Sequence, residues 1–155
     1  MTKETFSDLV LKSEQTLYRV SMSMLRNESD CEDAVQTAIL TAYENLSSLK
    51  NEKYFSTWLV RILINVCNKQ LKSRSKIISI EDSNHTTEPS TPSPVVDIEV
   101  RIALEELPVK FREVIVLYYI EDFSVAEIKR ILGIPEGTVK SRLSKGRELL
   151  REKLS

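Results

Sequence analysis

Apolar residues recur at helical spacing from Thr5 to about Ser73, with no strand-like alternation and no proline before Pro89. Interruptions at 27–30 and 47–56 divide this stretch into three or four predicted helices. Residues 81–94 (EDSNHTTEPSTPSP) break the pattern, being polar and including Pro89, Pro92 and Pro94. Such a segment cannot bury enough apolar surface to fold, so it reads as a flexible linker, spanning several tens of Å if extended at about 3.3 Å per residue. Helical patterning resumes near Val96 and continues to the C-terminus. The predicted fold is all-α: two small helical domains, 1–75 and 101–155, joined by a flexible acidic linker at 76–100.

Residues 124–150 (SVAEIKRILGIPEGTVKSRLSKGRELL) carry the most specific pattern. Ser124 with Glu127 three residues on predicts a capping box. Gly133 supplies a left-handed residue where the first helix stops, and Pro135 suits the first position of the next. At about 100° per residue, Val139, Leu143, Gly146 and Leu150 share one face of the second helix. Lys140, Ser141, Ser144 and Lys145 turn the other way, flanked by Arg142, Arg147 and Arg151. Two short helices around a glycine-containing turn, the second basic, form the pattern of a helix-turn-helix DNA reader.

Two N-terminal stretches carry surfaces of unusual make-up. In 30–46 (DCEDAVQTAILTAYENL), Val35, Ile39, Ala42 and Leu46 form the predicted core stripe. Asp33, Gln36, Leu40 and Tyr43 lie on a second stripe, suited either to binding a protein or to packing on a neighbouring helix. In 57–72 (TWLVRILINVCNKQLK) a wide apolar arc leaves Trp58, Arg61, Asn65, Asn68, Lys69 and Lys72 together on the remaining face. An aromatic with amides and cations can stack on and hydrogen-bond to unpaired bases. The preceding loop 50–55 (KNEKYF) adds Lys50, Lys53, Tyr54 and Phe55. Internal packing of Phe55 and Trp58 is the alternative reading.

The net charge of −1 is unevenly distributed. Residues 1–75 hold 10 basic and 9 acidic side chains, 76–100 hold 1 and 5, and 101–155 hold 11 and 9. The acidity lies away from the predicted nucleic-acid surfaces, and binding through local patches predicts weak affinity of the isolated chain for DNA. All three glycines, Gly133, Gly137 and Gly146, lie in the C-terminal segment, which excludes a phosphate-cradling loop and a dinucleotide fingerprint. His85 stands in the linker, where nothing would hold it for acid–base work. Cys31 and Cys67 lack metal-site spacing and read as buried free thiols. No active site, metal site or cofactor is predicted. No apolar run approaches the ~20 residues that span a bilayer, so no membrane insertion is expected and the predicted location is cytoplasmic.

Three of these segments, in order, resemble the extracytoplasmic-function (group 4) sigma factors, the smallest bacterial sigma-70-type promoter-specificity subunits. They are DCEDAVQTAILTAYENL, FSTWLVRILINVCNKQLKSR, and ELPVKFREVIVLYYIEDFSVAEIKRILGIPEGTVKSRLSKGRELL, within which GTVKSRL is the most specific. The resemblance implies a protein that binds core RNA polymerase and is not an enzyme. It implies docking of the β′ clamp helices through Asp33, Gln36, Leu40 and Tyr43, with the β flap as a further contact. It implies capture of an extruded −10 base by loop 50–55, Trp58 and Asn65, with Arg61, Lys69 and Lys72 on phosphates. It implies reading of the −35 element by Thr138, Lys140, Ser141, Arg142 and Lys145, with Lys110 and Arg112 adding phosphate contacts. The linker would lie near the polymerase active-site and RNA-exit path. Family members commonly serve stress or envelope responses and are held by an anti-sigma factor, often membrane-anchored. Thr37 stands where the family usually has an acid, and Ile39 where it usually has an aromatic. With no long N-terminal region, autoinhibition of the primary-sigma kind is not expected. The competing readings are a free-standing helix-turn-helix regulator, which would need to dimerise, and a helical sequestering protein that never touches DNA.

Overall fold

The computed structural model describes residues 1–78 and 97–155. Seven α-helices and no strands occur among the described residues. The chain divides into two compact units, Met1–Pro89 and Ser90–Ser155. Most of the expected linker, including His85 and the three prolines, lies outside the described residues.

In the N-terminal unit, α1 (Lys3–Leu25), α2 (Glu28–Glu44) and α3 (Phe55–Ile78) pack against one another. The side-chain oxygen of Thr2 accepts from the Thr5 amide at 3.1 Å and opens α1. Arg26, left-handed at φ 59°, closes it. Asn27 then caps α2 by accepting from the Asp30 amide at 3.0 Å, with Glu28 and Asp30 complementing the helix dipole. The predicted interruption at 27–30 is thus a single tight corner. Arg74 of α3 locks that corner, donating to the Leu25 carbonyl at 3.0 Å and pairing with Asp30. Between α2 and α3 the chain makes two 3₁₀ turns, Leu46–Ser48 and Glu52–Tyr54, neither containing a buried residue.

The core joins Leu17, Val20, Met24 and Leu25 of α1 to Leu59, Val60, Leu63, Ile64 and Cys67 of α3. α2 meets them through Cys31, Ala34, Ala38 and Ala42. The expected stripe of Val35, Ile39, Ala42 and Leu46 is therefore rotated: Ala42 is fully buried, while the three larger residues are half-exposed flanks. Close helix approach selects small side chains at the seam, which a reading weighted toward large aliphatics passes over. Both cysteines are buried free thiols, and burial pushes the Cys31 thiol up.

In the C-terminal unit, α4 (Ile98–Glu105), α5 (Val109–Ile115) and α6 (Val125–Leu132) all pack on α7 (Glu136–Leu154). Beyond α5 the helix widens into a π turn, Val116–Ile120. The predicted capping box is present: the Glu127 amide donates to Ser124 Oγ at 3.1 Å, and the Ser124 amide donates to Glu127 Oε1 at 2.9 Å. Gly133 ends α6 at φ 65°. Pro135 is the residue before α7 rather than its first, with an extended ψ of 152°. Val139, Leu143 and Gly146 are buried as expected, and Leu150 is half-buried. α3 and α4 each extend into the expected linker, over 76–78 and 98–100. No helix among the described residues is long and apolar enough to cross a membrane.

Gly146 sets the approach of α7 to α5, since a Cβ there would meet Ile115 Cγ1 at 3.0 Å and the Phe111 carbonyl oxygen at 3.5 Å. Gly146→Val is expected to lower stability by about 1–3 kcal/mol through overpacking, read as a fall in the urea midpoint of the transition of this unit.

Candidate functional site

On α2, Asp33, Gln36, Leu40 and Tyr43 are all exposed. Leu40 keeps 63% of its surface in solvent. The packing alternative therefore does not hold for Leu40. Tyr43 packs its ring at a tilt against Phe6, with centroids 5.4 Å apart, yet remains 47% exposed. An aliphatic and an aromatic beside an acid and an amide form a face that its own bundle leaves open.

Along α3, Arg61, Asn65, Lys69 and Lys72 are exposed on one face. In the turns before it, Lys50, Lys53 and Tyr54 are exposed, with Lys53 Nζ 5.9 Å from the centre of the Tyr54 ring. Phe55 departs from the expected surface. It is only 3% exposed, sits edge-on to Phe6 with centroids 5.9 Å apart, and belongs to the core rather than to a base-stacking surface. Trp58 is half-buried, packed on Phe55 at 5.8 Å, and its indole N–H donates to Ser48 Oγ at 3.2 Å. Leu46, Ser47, Leu49, Lys50, Asn51 and Glu52, with Met1, line an open concavity of about 270 Å³. Sequence reasoning placed the interruption at 47–56 but drew its candidate residues only from Lys50 onward, leaving out Leu46, Ser47 and Leu49 of this lining. The turn-forming Ser47 and Ser48, and Asn51, whose side chain accepts from the Lys53 amide at 3.0 Å, were the available signal.

On α7, Lys140, Ser141 and Lys145 are exposed, while Thr138 and Arg142 are half-buried. Lys140 reaches Glu136 at 3.2 Å and Lys145 reaches Glu148 at 3.8 Å. These exposed pairs contribute about 0–1 kcal/mol and leave both lysines open to solvent. Lys110 is exposed beside the Phe111 ring, but Arg112 corrects the expectation of a phosphate contact. It is 3% exposed, and its Nη1 donates to the Glu105 carbonyl at 3.4 Å. Its guanidinium holds the end of α4 against α5. Glu113, also on α5, has its carboxyl pushed up to about 7 by burial, against the opposing pull of Arg142 and Arg112.

The same two segments match known family models: Sigma-70 region 2 over residues 9–77, and Sigma-70, region 4 over residues 98–150. The ECF RNA polymerase sigma factor SigW of Bacillus subtilis is 34% identical over 168 residues, covering 98% of this chain and 90% of that protein. The chain belongs to the ECF RNA polymerase sigma factors. SigM of Mycobacterium tuberculosis is likewise 34% identical, over 94% of this sigma factor and 74% of that one. Among solved structures, the sigma factor RpoE in complex with the anti-sigma factor NepR from Bartonella quintana matches with a TM-score of 0.87 and 26% identity, covering 97% of each chain. The protein is thus a transcription initiation factor, all-helical, with a region 2 unit and a region 4 unit.

Glu113 is expected to make the stability of this sigma factor depend on pH. Its folded-state value lies above the ordinary 4.5, so the folded state holds the proton more tightly and stability falls as pH rises from about 4.5 to about 7. Glu113→Gln is expected to remove that slope and to raise stability at pH 8 by about 2–3 kcal/mol, measured by denaturant titration across pH.

Proposed function

We propose that the two units divide promoter recognition between them. Residues 1–75 would dock core polymerase and the −10 element, and 101–155 would read the −35 element, tethered through 76–100. The observation that carries the reading is the pair of open stripes on adjacent helices of one bundle, Leu40 with Tyr43 on α2 and Arg61 to Lys72 on α3. One is apolar enough to anchor a protein partner, and the other is cationic and amide-bearing, suited to a nucleic-acid strand.

In this reading Asp33, Gln36, Leu40 and Tyr43 meet the β′ clamp helices. A base of the −10 element leaves the duplex and enters the concavity beside Lys50, with Lys53, Tyr54, Trp58 and Asn65 around the strand. Arg61, Lys69 and Lys72 neutralise its phosphates. Unstacking costs a few kcal/mol, offset by stacking and hydrogen bonds on the protein. On α7, Lys140, Ser141, Arg142, Lys145 and Thr138 face the −35 major groove, with Lys110 on a neighbouring phosphate. The protein supplies recognition and strand opening while the polymerase supplies the chemistry, so the sigma factor itself is not an enzyme, and it acts in the cytoplasm. The Bartonella quintana relative is held by an anti-sigma factor, which supports control of this chain by a partner of that kind.

Run-off transcription from pooled genomic promoters, with purified bacterial core polymerase and with or without this protein, tests the whole reading. Transcripts appearing only with the protein, and sharing two elements at a fixed spacing, are expected. No added transcripts and no co-elution with core would overturn it. Leu40→Ala is expected to weaken core binding about 5- to 30-fold in a competition assay, with unchanged helicity. Asn65→Ala should slow open-complex formation while core affinity holds. Lys145→Ala should weaken promoter binding and reduce its salt slope by about one.

A further inference from the structure

The turns 46–48 and 52–54 contain no buried residue, so no core side chain of their own fixes where they sit. A polar relay links the first of them to Trp58 and to the end of α2. Trp58 Nε1 donates to Ser48 Oγ at 3.2 Å, and Ser48 Oγ donates to the Asn45 carbonyl at 2.7 Å. Asn45 Nδ2 in turn donates to the Thr41 carbonyl at 2.8 Å, at the last turn of α2. The serine hydroxyl uses its one proton on the Asn45 carbonyl and one of its two lone pairs on the indole N–H, so it is donor and acceptor at once. The indole is itself held, packed on Phe55, which is wedged edge-on against Phe6. Ser48 sits between Ser47 and Leu49, both of which line the concavity.

We infer that Ser48 is a positioning residue for −10 recognition, latching the 46–54 loop to Trp58 so that the concavity keeps one shape. This rests on the reading that the loop receives a base of the −10 element. Trp58 then acts through the loop as well as beside the strand, and the latch controls how well the pocket discriminates between bases rather than how tightly the strand's phosphates are held. A loop without buried anchors and without its polar tie samples several positions, and a mobile pocket accepts wrong bases more readily.

The test uses reconstituted holoenzyme, with dissociation constants for a single-stranded −10 oligonucleotide and for variants substituted at each base. Ser48→Ala is expected to lower the discrimination ratio at one −10 position about 3- to 10-fold. Core affinity and binding to a −35 duplex should stay unchanged. The emission of Trp58, the chain's one tryptophan, should shift in the same variant. Trp58→Phe keeps a ring and removes the N–H, and should cause a similar loss. Ser48→Ala added to Trp58→Phe should cause no further loss, because the bond between the two residues is already gone. Ser48→Thr should restore discrimination. Unchanged discrimination in Ser48→Ala, or losses that add in the double variant, would overturn the latch. A wild-type holoenzyme with no base preference on the −10 strand would overturn the −10 assignment itself and the inference with it.

Discussion

α2 closes onto α1 and α3 through Cys31, Ala34, Ala38 and Ala42, none of which keeps any exposure to solvent. That seam of small side chains is the constraint on which the N-terminal unit depends. Helices that approach this closely have no room for Val35 or Ile39 between them, so those residues move to the flanks and Leu40 turns outward. The rotation of α2 that buries its alanines is the same rotation that presents the Asp33–Tyr43 stripe. Gly146 does the corresponding work in the C-terminal unit, bringing α7 against Ile115 and leaving Lys140, Ser141 and Lys145 on the open side.

Charge is handled differently at the surface and inside. Lys140 and Lys145 of α7 pair with glutamates one turn away on the same helix, in contacts that solvent screens and that a phosphate backbone can replace. Arg112 is buried and Glu113 half-buried, and desolvation is the largest influence on the Glu113 carboxyl. Arg112 compensates by donating to a backbone carbonyl at the end of α4, whereas Glu113 holds its proton up to about neutral pH. Adjacent residues on one helix thus meet the same penalty by different chemistry.

An aromatic chain of Tyr43, Phe6, Phe55 and Trp58 runs through the N-terminal unit, with ring centres 5.4–5.9 Å apart. It begins on the stripe proposed to meet polymerase and ends beside the loop proposed to meet a −10 base. Such pairs contribute about 0.5–1.5 kcal/mol each beyond their buried area. They give the loop a rigid back wall, so the order of residues in the fold mirrors the proposed division of tasks.

Local signals in the chain determined where helices begin and end. Asn27, the Ser124–Glu127 box and Gly133 act through backbone hydrogen bonds and dihedrals within a few residues, which is why they could be read directly. The candidate surfaces were legible for the same reason, because polar stripes at helical spacing survive whatever the helix packs against. The tertiary structure alone decided which of two admissible faces went inward. Periodicity could not separate an exposed Leu40 from a packed one, a stacking Phe55 from a core Phe55, or a phosphate-binding Arg112 from an interior one. Nor could it pair Trp58 with Ser48, ten residues earlier. Burial depends on partners distant in sequence, and the side chains that fit a close helix crossing are chosen by shape rather than by hydrophobicity.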